Sequence, residues 1–323
     1  MVLLPGGVRR TSRGAVQWLR LVSHHAIVPL PSSYGYTMGD VTTRANGFTA
    51  TLTKSAPASP YGDDIKTLLL NVTFETAERL RVRITDPAAT RYEVPIDMPI
   101  VPGTPPASAS DMLYKVTTTA NPFGVAITRV SSGEVVWNST LGGFIYSNQF
   151  IQWSSLLSSQ YIYGLGEHMA PLLLPVNWTR ITLFTRDQGT PPGYTNLYGV
   201  HPFYLNMEAN GQAHGVFLLN SNAMDIILQP TPAVTYRTIG GIVDLFFMMG
   251  PTPEAVVSQY HDVIGHAVMP PYWALGFHLC RWGYNSLNQT RYINDAVRAY
   301  GVPQDTQWND IDSMRAFRSR AQR

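Results

Sequence analysis

Two short runs near the C-terminal end of the chain carry the residue types most able to do chemistry: Arg281-Trp282, and Trp308-Asn309-Asp310-Ile311-Asp312. Indoles beside carboxylates suit a sugar, because a pyranose ring stacks on an indole face while carboxylates accept hydrogen bonds from its hydroxyls. Asp310 and Asp312 stand two residues apart, which on a strand spaces them by about 6.6 Å, near the ~5–5.5 Å of a retaining glycosidase pair. That spacing alone does not make them a catalytic pair, because side chains two apart project to the same face and cannot approach a reacting carbon from opposite sides. A substrate-binding role for Asp310 competes with that of a solvated carboxylate at a strand end. Trp282 equally fits a core position, as large aromatics usually do. Asp187, in Arg186-Asp187-Gln188, reads from its neighbours Gly189 and Pro191 as an Asx turn.

The elements that position these runs follow from the pattern. After Met269-Pro270-Pro271 come an apolar run Tyr272–Cys280, a helix-compatible stretch Asn288–Tyr300 and a second strand Asp305–Ile311. Strand, helix, strand is a βαβ unit with a parallel pair. Such units open (β/α) barrels, whose chemistry sits at the C-terminal strand ends. Before it, Pro253 to Ile264 has helical spacing, with Glu254 in its first turn.

From Gly47 to Asn138 the chain alternates short β-rich runs with turn formers: Gly47–Lys54, Thr67–Phe74, Arg79–Thr85, Arg91–Pro95, Leu113–Thr119, Gly124–Val130 and Val135–Asn138. In Leu80-Arg81-Val82-Arg83-Ile84 the period of two places the aliphatics inward and the arginines in solvent. A second β-rich region extends from Tyr161 to Met249, and its longer apolar runs belong between two packed sheets. The expected fold is mostly β, a sandwich followed by the first strands and helix of a barrel.

Composition narrows the function. Of the 23 basic residues in 323, eight lie in 1–30 and 315–323, where there is no acid; the remaining fifteen face 21 acids, so residues 31–314 carry a formal charge of −6. An acidic body argues against nucleic-acid binding. No apolar run approaches the ~20 residues of a membrane span. The single cysteine, Cys280, excludes an internal disulfide and a thiolate zinc cluster and reads as a buried strand thiol. Glu167-His168 lacks a second histidine at ligand spacing, Gly164-x-Gly166 lacks the rest of a nucleotide loop, and no nucleophile elbow is present, so no metal, cofactor or acyl-transfer site is expected. Sequons occur at Asn71, Asn138, Asn177 and Asn288. Met1–Leu4 is followed at once by Pro5-Gly6-Gly7, which leaves no apolar core for a secretory signal.

The residues carry a resemblance. Met269 to Tyr284 (MPPYWALGFHLCRWGY), followed by Gln307-Trp308-Asn309-Asp310-Ile311-Asp312, resembles the start of the barrel of family thirty-one glycoside hydrolases. Tyr163 to His168, Trp178 to Leu183, Asn196 to Tyr204 and His214 to Asp225 resemble the same family, with coverage from about Pro31 to Met314. The resemblance implies an atypical N-terminal segment at 1–30, a galactose-mutarotase-like β-sandwich at 31–265, the opening of a truncated (β/α)8 TIM barrel at 266–314 and a basic tail outside the family pattern at 315–323. It implies α-glucosidase chemistry, the retaining hydrolysis of terminal α-1,4-linked glucose from maltose- or glycogen-type substrates in a lysosomal or secretory compartment. Asp187, Trp282 and Asp310 are the residues it assigns to binding an α-glucoside or glucose. The family nucleophile sits in a Trp-x-Asp-Met-Asn-Glu run and its acid lies later still. Neither is present in these 323 residues, so no catalytic residue is assigned and the chain is expected to be inactive alone. A noncatalytic carbohydrate-binding or regulatory sandwich is the alternative. A mutarotase-like isomerase is a third, without a supporting His/Glu arrangement.

Overall fold

The computed structural model describes residues 34–314 except Ala56, Ala107 and 188–194; the expectations for 1–30 and 315–323 lie outside the described residues. The chain divides into two compact units that meet between Gly265 and His266.

The first unit is built from seventeen strands among the described residues. In chain order they are β1 (Tyr36–Arg44), β2 (Gly47–Lys54), β3 (Thr67–Phe74), β4 (Arg79–Thr85), β5 (Tyr114–Ala120), β6 (Phe123–Arg129), β7 (Val135–Asn138), β8 (Ile145–Ser147) and β9 (Phe150–Leu156). They continue as β10 (Ile162–Gly164), β11 (Leu173–Leu174), β12 (Thr179–Leu183), β13 (Phe203–Met207), β14 (Ala213–Leu218), β15 (Met224–Gln229), β16 (Ala233–Thr238) and β17 (Val243–Met248). Two antiparallel sheets result, one ordered β1-β2-β3-β4-β17-β14-β13-β10-β11, the other β12-β15-β16-β9-β7-β6-β5 with β8 added on β9. The alternation in β4 sends Leu80, Val82 and Ile84 into the space between the sheets, opposite Phe247, Leu245 and Val243 in register. Trp137 on β7 meets Phe247 on β17 edge to face at 5.3 Å, so the two sheets share one apolar core.

β14 and β17 are buried along their whole length, which alternation cannot explain. The cause is helix α1 (Pro253–Ile264) on the outer face of the nine-stranded sheet. Val256, Tyr260 and Val263 pack there on Ala213, Phe217, Phe246 and Met248, and Tyr260 stacks on Phe203 at 4.1 Å. Thr252 caps the helix by accepting from the Ala255 N–H at 3.2 Å, with Pro253 in the first turn where no N–H is needed.

One expectation fails in this unit and another is refined. Arg91–Pro95 is not a strand: the Arg91 guanidinium is held by the carbonyls of Gly241 and Asn148, and Pro95 has no N–H for a ladder. The outward arginines of β4, Arg81 and Arg83, are half-exposed, as the alternation requires, but each pairs with a carboxylate, Arg83 with Glu93. Arg81 grips Asp244 of the neighbouring β17 through two bonds of 2.8 and 2.7 Å, and Arg79, at the start of the strand, is buried against Glu75 at 2.7 Å.

The second unit is β18 (His278–Leu279), α2 (Leu287–Ala299) and β19 (Thr306–Gln307). The two strands pair in parallel, His278 with Thr306 and Leu279 with Gln307; among the described residues this makes one strand–helix–strand unit, and no barrel closes. The strands are shorter than the apolar runs that suggested them. Tyr272–Leu275 winds into a 3-10 turn behind Pro271, and Ile311–Ser313 forms another, so Asp310 and Asp312 do not share a strand face. Cys280 falls past the end of β18 and is exposed, correcting the buried-thiol expectation. Among the described residues this unit leaves Met269, Tyr272 and Tyr300 almost fully exposed.

Candidate functional site

On the first unit, Asp187 follows β12 and is exposed. Its Oδ1 accepts a hydrogen bond from the Tyr198 hydroxyl at 2.7 Å, and this bond pushes the phenol above its ordinary value. Tyr198 rises from a turn woven into its neighbours. Arg186 N–H donates to the Leu197 carbonyl at 2.9 Å, Leu197 N–H to the Glu167 carbonyl at 3.0 Å, and Glu167 N–H to the Gly199 carbonyl at 3.1 Å. Inside the turn, the buried Asn196 amide donates to the carbonyls of Leu197 and Gly199 and accepts from the Phe184 N–H. The Glu167 carboxylate accepts from the Gly199 N–H at 2.9 Å and lies against the glycine so closely that an added Cβ would stand 2.6 Å from Oε1. His168 lies between the carbonyls of Leu165 and Thr182, at 2.9 and 3.0 Å.

On the second unit, the parallel register sets Trp282 and Asp310 each three residues past the end of its strand. Trp282 is 58% exposed and is therefore not a core residue. Asp310 caps the following 3-10 turn, its Oδ1 accepting from the Ile311 N–H at 2.6 Å. Asp312 is engaged differently, its Oδ2 accepting from the Gly283 N–H at 2.9 Å. Trp308 donates from its indole to His278 Nδ1 at 2.8 Å, and His278 stacks on Trp273. The strand end thus presents exposed indoles with a half-buried carboxylate, a surface on which a sugar ring can stack and be hydrogen-bonded. Of the sequence candidates, Trp282 and Asp310 share this strand end, while Asp187 belongs to the other unit. The pattern gave no role to Tyr198, Asn196 or Glu167; the one signal was the unbroken run Asn196-Leu197-Tyr198-Gly199.

A His/Glu pair does exist in the sandwich, between His214 on β14 and Glu208 just after β13, at 3.0 Å. Both are buried, and Arg129 closes the group with a 2.6 Å bond to Glu208. Burial holds His214 below the ordinary histidine value against the pull of Glu208. Burial pushes Glu208 up, but the bonds from His214 and Arg129 outweigh it and leave the carboxyl low. A sugar cannot reach this pair, so it gives the isomerase reading nothing. The sequons lie on β3 (Asn71), at the end of β7 (Asn138), in the exposed turn before β12 (Asn177) and in the exposed first turn of α2 (Asn288). Among the described residues no cluster of histidine, cysteine and carboxylate suits a metal, and no helix is long and apolar enough to cross a membrane.

Comparison with known proteins places this geometry. Residues 70–226 match the glycosyl hydrolase 31 N-terminal galactose mutarotase-like domain, and residues 267–322 match the glycosyl hydrolases family 31 TIM-barrel domain. The chain is 50% identical to mouse (Mus musculus) lysosomal alpha-glucosidase over 289 residues, which is 89% of this chain and 30% of that protein. It is also 50% identical to human (Homo sapiens) intestinal sucrase-isomaltase over 285 residues, 86% of this chain and 15% of that protein. The chain therefore spans less than a third of the length of these relatives. Among solved structures, the glucosidase II alpha subunit bound to DNJ aligns with a TM-score of 0.72 at 17% identity, covering 93% of this chain and 41% of that one. A family 31 dextranase of Flavobacterium johnsoniae complexed with glucose aligns at 0.65, with 17% identity, over 89% and 36%. The two family models, taken with half-identity across nine-tenths of the sequence, show that this chain belongs to glycoside hydrolase family 31.

Proposed function

We propose that this chain is the glucose-holding part of a retaining α-glucosidase acting on maltose- or glycogen-type substrates, routed to a lysosomal or secretory compartment as in its named relatives. Residues 31–265 form the sandwich domain and 266–314 the opening of the catalytic barrel in this reading. The observation that supports it most directly is that Trp282, with an exposed indole, and Asp310 each stand three residues past the end of one of two parallel-paired strands, within the stretch that matches the family's barrel. Trp282 offers the stacking face. Asp310 and, on the sandwich, Asp187 each keep a carboxylate oxygen that accepts from no described residue, and a sugar hydroxyl donates there.

In the retaining reaction one carboxylate attacks the anomeric carbon and another protonates the leaving oxygen. The 323 residues contain no Trp-x-Asp-Met-Asn-Glu run, and the two aspartates after β19 are committed to separate backbone N–H groups. The chain by itself therefore binds sugar without turning it over. Incubated with maltose at acidic pH, the purified chain is expected to release no glucose above a buffer blank while giving binding heat at millimolar maltose. Turnover abolished by Asp310→Asn would overturn the noncatalytic reading, and an absence of heat would overturn the sugar-binding one.

A further inference from the structure

The hydrogen bond from Tyr198 to Asp187 is a strange one to keep for stability. Tyr198 is 61% exposed and Asp187 is exposed as well, and a polar pair in open solvent contributes little to folding. Its donor is nevertheless set with care. The Leu197–Gly199 turn is anchored from inside by buried Asn196 and from outside by the Glu167 backbone and carboxylate. Arg186, the residue before Asp187, is bonded to that same turn at 2.9 Å. Both ends of the Tyr198–Asp187 link therefore stand on one braced piece of backbone.

We infer that Tyr198 is a positioning residue for sugar recognition: its hydroxyl occupies Oδ1 of Asp187, fixes the plane of the carboxylate, and leaves Oδ2 as the acceptor for a sugar hydroxyl. The inference rests on the sugar-binding reading of Asp187 given above. A carboxylate on an exposed loop samples several rotamers, and ordering it on binding costs affinity; the phenol removes part of that cost beforehand. The same bond raises the phenol above its ordinary value, which an alkaline titration can read.

The test uses the full chain in four forms: wild type, Tyr198→Phe, Asp187→Asn and the double variant. Maltose binding is measured by calorimetry at one pH, and phenol ionisation by ultraviolet absorbance under alkaline titration. Tyr198→Phe is expected to melt at the wild-type temperature and to bind maltose about fivefold more weakly, the equivalent of about 1 kcal/mol. Asp187→Asn is expected to weaken binding further and to move one tyrosine to easier ionisation. Adding Tyr198→Phe to Asp187→Asn is expected to cost nothing more, since the group being positioned is already altered. Wild-type affinity in Tyr198→Phe, or losses that multiply in the double variant, would overturn the positioning role while leaving the sugar-binding reading intact. A wild-type chain that binds no maltose would overturn both. An unchanged phenol titration in Asp187→Asn would refute the bond itself.

Discussion

At the scale of single residues, the buried Arg129–Glu208–His214 group makes the folded chain sensitive to acid. His214 is 1% exposed, and burial keeps it neutral below the pH at which a free histidine gains its proton. Once the pH falls below about 6.5, the unfolded chain takes up a proton that the folded chain excludes. Stability contributed by this histidine is thus complete above that value and declines beneath it, by up to about 1.4 kcal/mol per pH unit. Glu208 acts in the same direction at lower pH, because its folded carboxyl stays ionised where the unfolded one, near 4.3, does not. Urea unfolding at pH 7 and pH 5 is expected to show a smaller drop in midpoint for His214→Gln than for the wild-type chain. An equal drop in both would assign the acid response to other groups.

At the scale of elements, α1 is held to the nine-stranded sheet through a gap left by Gly215. A Cβ at that position would stand 2.6 Å from Val256 Cγ1 and 2.8 Å from the Phe203 ring. Both neighbours are packed, so neither can retreat cheaply. Gly215→Ala is expected to destabilise by about 1–3 kcal/mol through overpacking, and Val256→Ala in the same chain to recover part of that loss. Denaturant melts of the two single variants and the double variant measure the coupling; strict additivity would mean that the helix does not seat where the contact places it. The same packing accounts for what the pattern could and could not show of these elements. β3, β4 and α1 follow from sequence to the residue, because period and caps are local properties. The burial of β17 on both faces required α1, and the shortness of β18 and β19 required backbone bonds that turn the flanking residues into 3-10 geometry.

At the scale of the whole molecule, the two units differ in how they satisfy their apolar side chains. The first closes a sandwich core around Trp137, Trp153 and Phe247 and covers one sheet with a helix. The second has no buried residue on α2 and leaves Tyr272 92% exposed. Val268 and Met269, just past the division at Gly265, are exposed and outside any element. Brief proteolysis is therefore expected to cut first between about 266 and 271 and to leave a resistant fragment ending near Gly265. First cuts inside β14 or β17 would contradict this order. The sequence by itself determined the two-sheet pattern, the helix behind Pro253, the strand–helix–strand order and the family, because each is written in local spacing or in long unbroken runs. Through the resemblance it also offered Asp187, Trp282 and Asp310 as the candidates for holding a sugar. Only the tertiary structure decided that Asp310 and Asp312 bind separate backbone amides, that Cys280 is exposed, and that Arg81 is spent on Asp244. It alone joined Tyr198 to Asp187, through a turn whose bonds link residues about thirty positions apart. Such pairings depend on which hydrogen-bonding group the folded backbone brings opposite which side chain, and no residue's type or spacing specifies that.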